Sequence, residues 1–132
     1  MPDVNLLAVL ACAVSSLVIG GLWYSPALFA KPWQQAAGLS EEQAKAGNPA
    51  LIFGGAFVLS FIAAAVFAMF LGTEMSLGAA TAAGFSAGLC WVAASFAINY
   101  LFERRPFKLW LINGGYHTLQ FTAFGFILGA MQ

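Results

Sequence analysis

The chain has 132 residues, 61% of them hydrophobic and only 8% charged, and its formal net charge is zero. An average soluble domain carries about 25% charged residues, so this composition cannot clothe a solvated surface and points to an integral membrane protein. Zero net charge argues against a nucleic-acid partner, and the length fits one membrane domain spanning residues 1–132.

Taken in chain order, four apolar segments approach the roughly 20 residues that a membrane crossing needs. The first runs from about Val4 to Ser25. Near its end Trp23 and Tyr24 suit the headgroup layer, and Pro26 stops or kinks the helix. A cleaved signal or a lipoprotein signal would need a basic start. The chain starts "MPDVN", with Asp3 and no Lys or Arg, so this segment reads as a retained helix. Residues 31–49 are polar. Within them Ser40 and Gln43 have capping-box spacing, and Gly47-Asn48-Pro49 is a stop, which predicts a short helix over about 40–47 lying on the membrane surface. The second span covers about Ala50–Leu71, followed by a tight turn over Gly72–Ser76. The third covers about Leu77–Phe102, long enough to tilt. The short charged stretch "ERRPFK" (103–108) leads to the fourth, about Leu109–Ala130.

The fold class expected is therefore an all-α integral membrane four-helix bundle. Its five basic residues sort onto one side: Lys31 and Lys45 in the first connection, and Arg104, Arg105 and Lys108 in the third. The positive-inside rule makes both connections cytoplasmic, with both termini and Glu74 outside. The cationic turn at Arg104, Arg105 and Lys108 is a candidate contact for anionic lipid.

The second and fourth spans resemble each other. "LIFGGAFVLSFIA" (51–63) aligns without gaps on "LINGGYHTLQFTA" (111–123), with seven of thirteen positions identical. "AKPW" (30–33) and "FKLW" (107–110) add a weaker match, and the preceding spans end near Tyr24 and Tyr100. This predicts two helical hairpins in tandem. Because both linkers lie on one side, the copies are parallel and related by a pseudo-twofold axis along the membrane normal.

The alignment isolates one difference. Asn113, Tyr116, His117 and Gln120 replace Phe53, Ala56, Phe57 and Ser60. These positions share one helical face. His117, the only histidine, falls about 13 Å into its helix, near mid-membrane. Ionisable residues there are candidate functional groups, although no second histidine or buried carboxylate extends a proton relay. On the third span Trp91, Ser95 and Asn99 share a stripe, and Asn99 stands at a depth similar to Asn113. Antiparallel neighbours would pair the two amides. Gly84-Gly88, Gly125-Gly129, Ser16-Gly20 and Gly21-Ser25 have small-xxx-small spacing, which favours close helix packing within or between subunits. Four helices leave much lipid-facing surface, so a homo-oligomer is expected.

No metal or cofactor pattern is present, and no Ser, His and carboxylate are spaced for a triad, which argues against an enzyme. Cys12 and Cys90 lie at depths of roughly 12 and 20 Å from one face, too different for a disulfide within the chain.

"WYSPALFAKPW" (23–33), "GLSEEQAKAGNPA" (38–50) and "NYLFERRPFKLWLINGGYH" (99–117) resemble the bacterial family of domain of unknown function 1761. Tyr24, Pro26, Trp33, Asn99, Glu103, Arg104, Pro106, Asn113, Tyr116 and His117 match its pattern. The resemblance implies a small four-helix bacterial membrane protein, expected in the inner membrane, and carries no activity with it. Two functional readings stand. In one, Asn99, Asn113, Tyr116, His117 and Gln120 line a polar site between the third and fourth spans that binds or passes a small polar solute or a proton. In the other, the protein is a structural or partner-binding module, with the polar stripe as internal glue and the glycine faces as subunit interfaces.

Overall fold

The computed structural model describes residues 4–131. The acidic start at Asp3 and the two chain ends, on which part of the orientation reading rests, lie outside these residues. Helix α1 spans Leu6–Trp23, α2 Ala30–Ala37, α3 Glu41–Lys45 and α4 Pro49–Leu71. A single helical run over Leu77–Glu103 consists of α5 (Leu77–Ala87), a π-helical stretch (Gly88–Ala93) and α6 (Ala94–Glu103), and α7 spans Phe107–Ala130. Among the described residues there is no strand.

The starts of the helices are written in side chains. Asn5, Asn48 and Ser76 each accept from backbone N–H groups at the first turns of α1, α4 and α5, and Pro49 opens α4, where its missing N–H costs nothing. The Ser40–Gln43 capping box forms at α3. The eight-residue α2 was not foreseen. Its clearest signal is Gly38, which ends it in the left-handed conformation at φ 73°.

Three helical runs are long and apolar enough to cross a membrane: Leu6–Trp23, Pro49–Leu71 and Leu77–Glu103. At 24 residues, about 36 Å, α7 has the length. Asn113, His117, Gln120 and Lys108 in its first turn keep it less apolar than the others.

The packing centres on α7. Asn5 Nδ2 donates to Met131 O and Trp23 Nε1 to Ile112 O, so α1 runs antiparallel to α7. Gly84 lies against Phe121 and Gly129 against Leu77, so α5 is antiparallel to α7 as well. Consequently α1 and α5 point the same way. Helix α4 packs chiefly on α1. A core of Val9, Cys12, Ala64, Ala68, Ala80, Phe124 and Leu128 joins all four long segments. Phe70, Leu59, Leu51 and Phe102 face outward, as lipid-facing positions do when the surrounding solvent is hydrocarbon.

The α5–α7 interface is a backbone-to-backbone contact. A Cβ on Gly84 would collide with the Phe121 carbonyl, one on Gly125 with the Ala80 carbonyl, and one on Gly88 would stand 2.8 Å from His117 O. Two of the expected small-residue pairs are therefore consumed inside the chain. Of the two uses left open for Gly84-Gly88 and Gly125-Gly129, packing within the chain is the one these contacts take. On α4, by contrast, nothing approaches within 4 Å of a Cβ built on Gly54 or Gly55.

Candidate functional site

The polar face of α7 meets α1 and α4, and it touches α6 through Asn113 and His117. Proceeding inward from the N-terminal end of α7, Asn113 is the first member. Tyr24 Oη donates to Asn113 Oδ1 at 2.6 Å, and Asn113 Nδ2 donates to Tyr100 Oη at 2.9 Å. One amide thus bridges the ends of α1 and α6. A helical turn deeper, Tyr116 Oη donates to the Ser16 carbonyl at 3.0 Å. Its ring packs on Tyr24 at 5.5 Å between centroids and lies against the open side of Gly20.

Gln120 is buried and carries the next layer. Its Nε2 donates to Ser16 Oγ at 2.8 Å and to Ser60 Oγ at 3.3 Å. With both amide hydrogens so directed, Oε1 faces His117 Nδ1 at 2.8 Å. A carbonyl oxygen only accepts, so a neutral His117 ring carries its proton on Nδ1 and presents a lone pair at Nε2. The ring stacks on Phe96 at 5.0 Å and 16°. His117 Nε2 has no hydrogen-bond partner among the described residues, and it is not sealed from its surroundings.

Two indoles complete the frame. Trp23 Nε1 donates to Ile112 O at 2.8 Å, and its ring fills the space above Gly115. Trp110 Nε1 donates to Ala93 O at 2.7 Å, at the end of the π-helical stretch. The Gly114-Gly115 pair is therefore flanked by a tryptophan on each side.

Asn99 is the exception among the expected site residues. It is exposed and stands apart from Asn113, whose amide is already satisfied by the two tyrosines. Trp91 and Ser95 are exposed too, and Ser95 Oγ bonds back to Trp91 O within its own helix. The physical reason lies in the π-helical stretch. It adds a residue to the turn, which rotates everything downstream by about 100° relative to an uninterrupted α-helix. The expected pairing of Asn99 with Asn113 is corrected accordingly: the stripe meets the third span at Tyr100 and Phe96, and its other partners are Tyr24, Ser16 and Ser60. Ser60 and Tyr24 were within reach of the sequence, since Ser60 aligns with Gln120 and the first and third spans end near Tyr24 and Tyr100. Nothing local marked Ser16 as their companion.

Grooves on the described surface run elsewhere. One lies between Phe67 and Trp91, another beside Trp23, Leu89 and Thr118, and a third at the α6–α7 turn. The side chains of Asn113, Tyr116, His117 and Gln120 line none of these three. Cys12 is buried with its Sγ 3.8 Å from Phe124 O, Cys90 is exposed, and both are free thiols.

Fold and site together define an all-helical protein, compatible with a membrane, in which the least apolar of the long helical runs is held at its centre by hydrogen bonds. The chain belongs to the DUF1761 family of proteins of unknown function, whose family model matches residues 7–129. Neither a curated protein nor a solved structure shows significant similarity to it.

Proposed function

We propose that this is a non-enzymatic, four-crossing module of the bacterial inner membrane. In this reading two parallel hairpins, α1–α4 and α5/α6–α7, are locked together at mid-membrane by the polar face of α7. Connections one and three are cytoplasmic and both ends lie outside, a reading supported by the five-to-none distribution of Lys and Arg. The observation that carries the reading is the closure of the stripe. The amides of Asn113 and Gln120 and the Tyr116 hydroxyl are all spent on partners within the chain. A solute site would keep such groups free, whereas a lock uses them up. Replacing Gln120 with Met keeps the volume and removes the three-way amide. The lock reading expects a lower thermal unfolding midpoint in detergent with helix content retained. An unchanged midpoint would sink it.

One atom favours a second reading. His117 Nε2 is an open acceptor at mid-membrane depth, the position for binding a proton or a small hydrogen-bond donor. Its test is flux into liposomes that hold the purified chain, with His117→Ala as comparison. Equal flux in both preparations removes this reading.

Association between copies, in the module reading, uses α4. The Gly114-Gly115 pair on α7 is filled by two indoles, but the matching Gly54-Gly55 pair lies open beside exposed Leu51 and Val58.

A further inference from the structure

The α6–α7 turn carries a groove of about 340 Å³ lined by Ala97, Tyr100, Leu101, Arg104, Arg105, Pro106, Phe107 and Trp110. We propose that it is a binding site for the phosphate headgroup of an anionic phospholipid, with the apolar walls taking the glycerol and the upper acyl carbons.

The charges of this turn, Arg104, Arg105 and Lys108 against Glu103, are unbalanced in the direction such a ligand requires. Glu103 pairs with Arg105, Nε to Oε1 at 3.5 Å, and Arg105 Nη1 also donates to Ala37 O at 3.3 Å. Arg105 is thereby held in place by α2. Arg104 and Lys108, the other cations of this turn, make no ion pair with any described residue. Guanidinium groups present planar donor arrays that match phosphate oxygens. Arg104 ends α6 in the left-handed conformation at φ 57°, a state that a non-glycine residue seldom adopts, and it lines the groove.

The other walls decide between a lipid and a free anion. Ala97, Leu101, Phe107 and the indole face of Trp110 would remain uncovered around inorganic phosphate. A headgroup with attached chains covers them. Tyr and Trp side chains suit the headgroup depth, and juxtamembrane Lys and Arg attract anionic lipid on the cytoplasmic side. Tyr100 adds a specific donor. Its hydroxyl oxygen accepts from Asn113 Nδ2, and its own proton has no acceptor among the described residues. A phosphate oxygen in the groove would complete a chain running from Tyr24 through Asn113 and Tyr100 to the lipid.

The inference does not rest on the lock reading: lipid selectivity and unfolding midpoint are separate readouts. The experiment is native mass spectrometry of the purified full chain in detergent, offered phosphatidylglycerol and phosphatidylcholine with identical acyl chains. Wild type is expected to retain phosphatidylglycerol at least tenfold more strongly. Arg104→Asn tolerates the left-handed backbone and removes a charge with no intrachain partner, so it should reduce that preference severalfold without altering the fold. Arg104→Asn with Arg105→Gln should abolish it. Tyr100→Phe should reduce it with the charge unchanged. Lys31→Ala with Lys45→Ala removes the same charge as the double arginine variant and should leave the preference intact. The proposal is overturned if the arginine variants keep the preference, or if the lysine variant loses it equally. It is overturned in favour of a free-anion site if millimolar inorganic phosphate displaces the lipid from wild type.

Discussion

Gln120 Nε2 donates to Ser60 Oγ across the centre of the molecule, at 3.3 Å and 60 positions apart in sequence. In the gapless alignment of the two similar stretches, these residues occupy the same position. When matching positions of two copies touch each other, the axis relating the copies passes between them. Such a contact is what the expected pseudo-twofold axis between α4 and α7 would produce. Position 60 is a serine, whereas position 120 is a longer amide that also reaches Ser16 and His117.

The first prediction concerns this layer. Interhelical hydrogen bonds in membranes average about 0.6 kcal/mol. Ser60→Ala should cost about that much, and Ser16→Ala more, because its bond is shorter and Ser16 is almost wholly buried. Double-mutant cycles with Gln120→Met, read by reversible unfolding in mixed micelles, should show positive coupling for both serines.

Asn113 and Asn99 should behave oppositely. Asn113→Leu strands the Tyr24 hydroxyl, which lies in a part-buried contact, at a cost of about 1–3 kcal/mol. Asn99→Leu acts on an exposed position and should stay within about 0.5 kcal/mol of wild type. The same unfolding measurement compares them. A large cost for Asn99→Leu would show that the π-helical stretch does not turn this residue outward.

The glycines divide in the same way. Gly84→Ala and Gly125→Ala place a methyl against backbone that cannot rotate aside, so each should destabilise by about 1–3 kcal/mol. Gly54→Ala and Gly55→Ala meet open space and should be near neutral for the isolated chain. If copies associate through α4, those two substitutions weaken association while leaving the monomer's unfolding unchanged, which analytical ultracentrifugation in detergent would detect.

Orientation has a direct check. In a chain with Cys12→Ala and Cys90→Ser, a cysteine placed at Glu74 should react with a membrane-impermeant maleimide in intact spheroplasts. One placed at Ser40 should react only after permeabilisation. The reverse pattern would invert the topology.

Much of the architecture follows from local chemistry. Runs of apolar residues with almost no charge make helices that must satisfy their own backbone, which is why α1, α4, the 77–103 run and α7 lie close to where hydropathy places them. Asn5, Ser40, Asn48 and Ser76 start helices because their side chains reach free N–H groups within three residues. The polar face of α7 was legible for the same reason, since helical periodicity alone puts Asn113, Tyr116, His117 and Gln120 on one side.

What that face touches was decided only by the tertiary structure. Facing residues across helices are set by the rotation of each helix about its axis, and hydropathy says little about rotation in a helix that is apolar all round. On the 77–103 run a single widened turn moves Asn99 out to the surface and leaves Tyr100 to meet Asn113. Ser16, marked by the sequence only as a small residue in α1, becomes a hub because the backbone contact at Gly84, Gly88 and Gly125 draws α5 onto one side of α7 while the tryptophan–glycine contact at Trp23 and Gly115 seats α1 on the other. Sequence determined which residues are polar and which side of their own helix they occupy. Close packing of small residues determined which partners they meet, because that packing sets the distances over which a hydrogen bond can form.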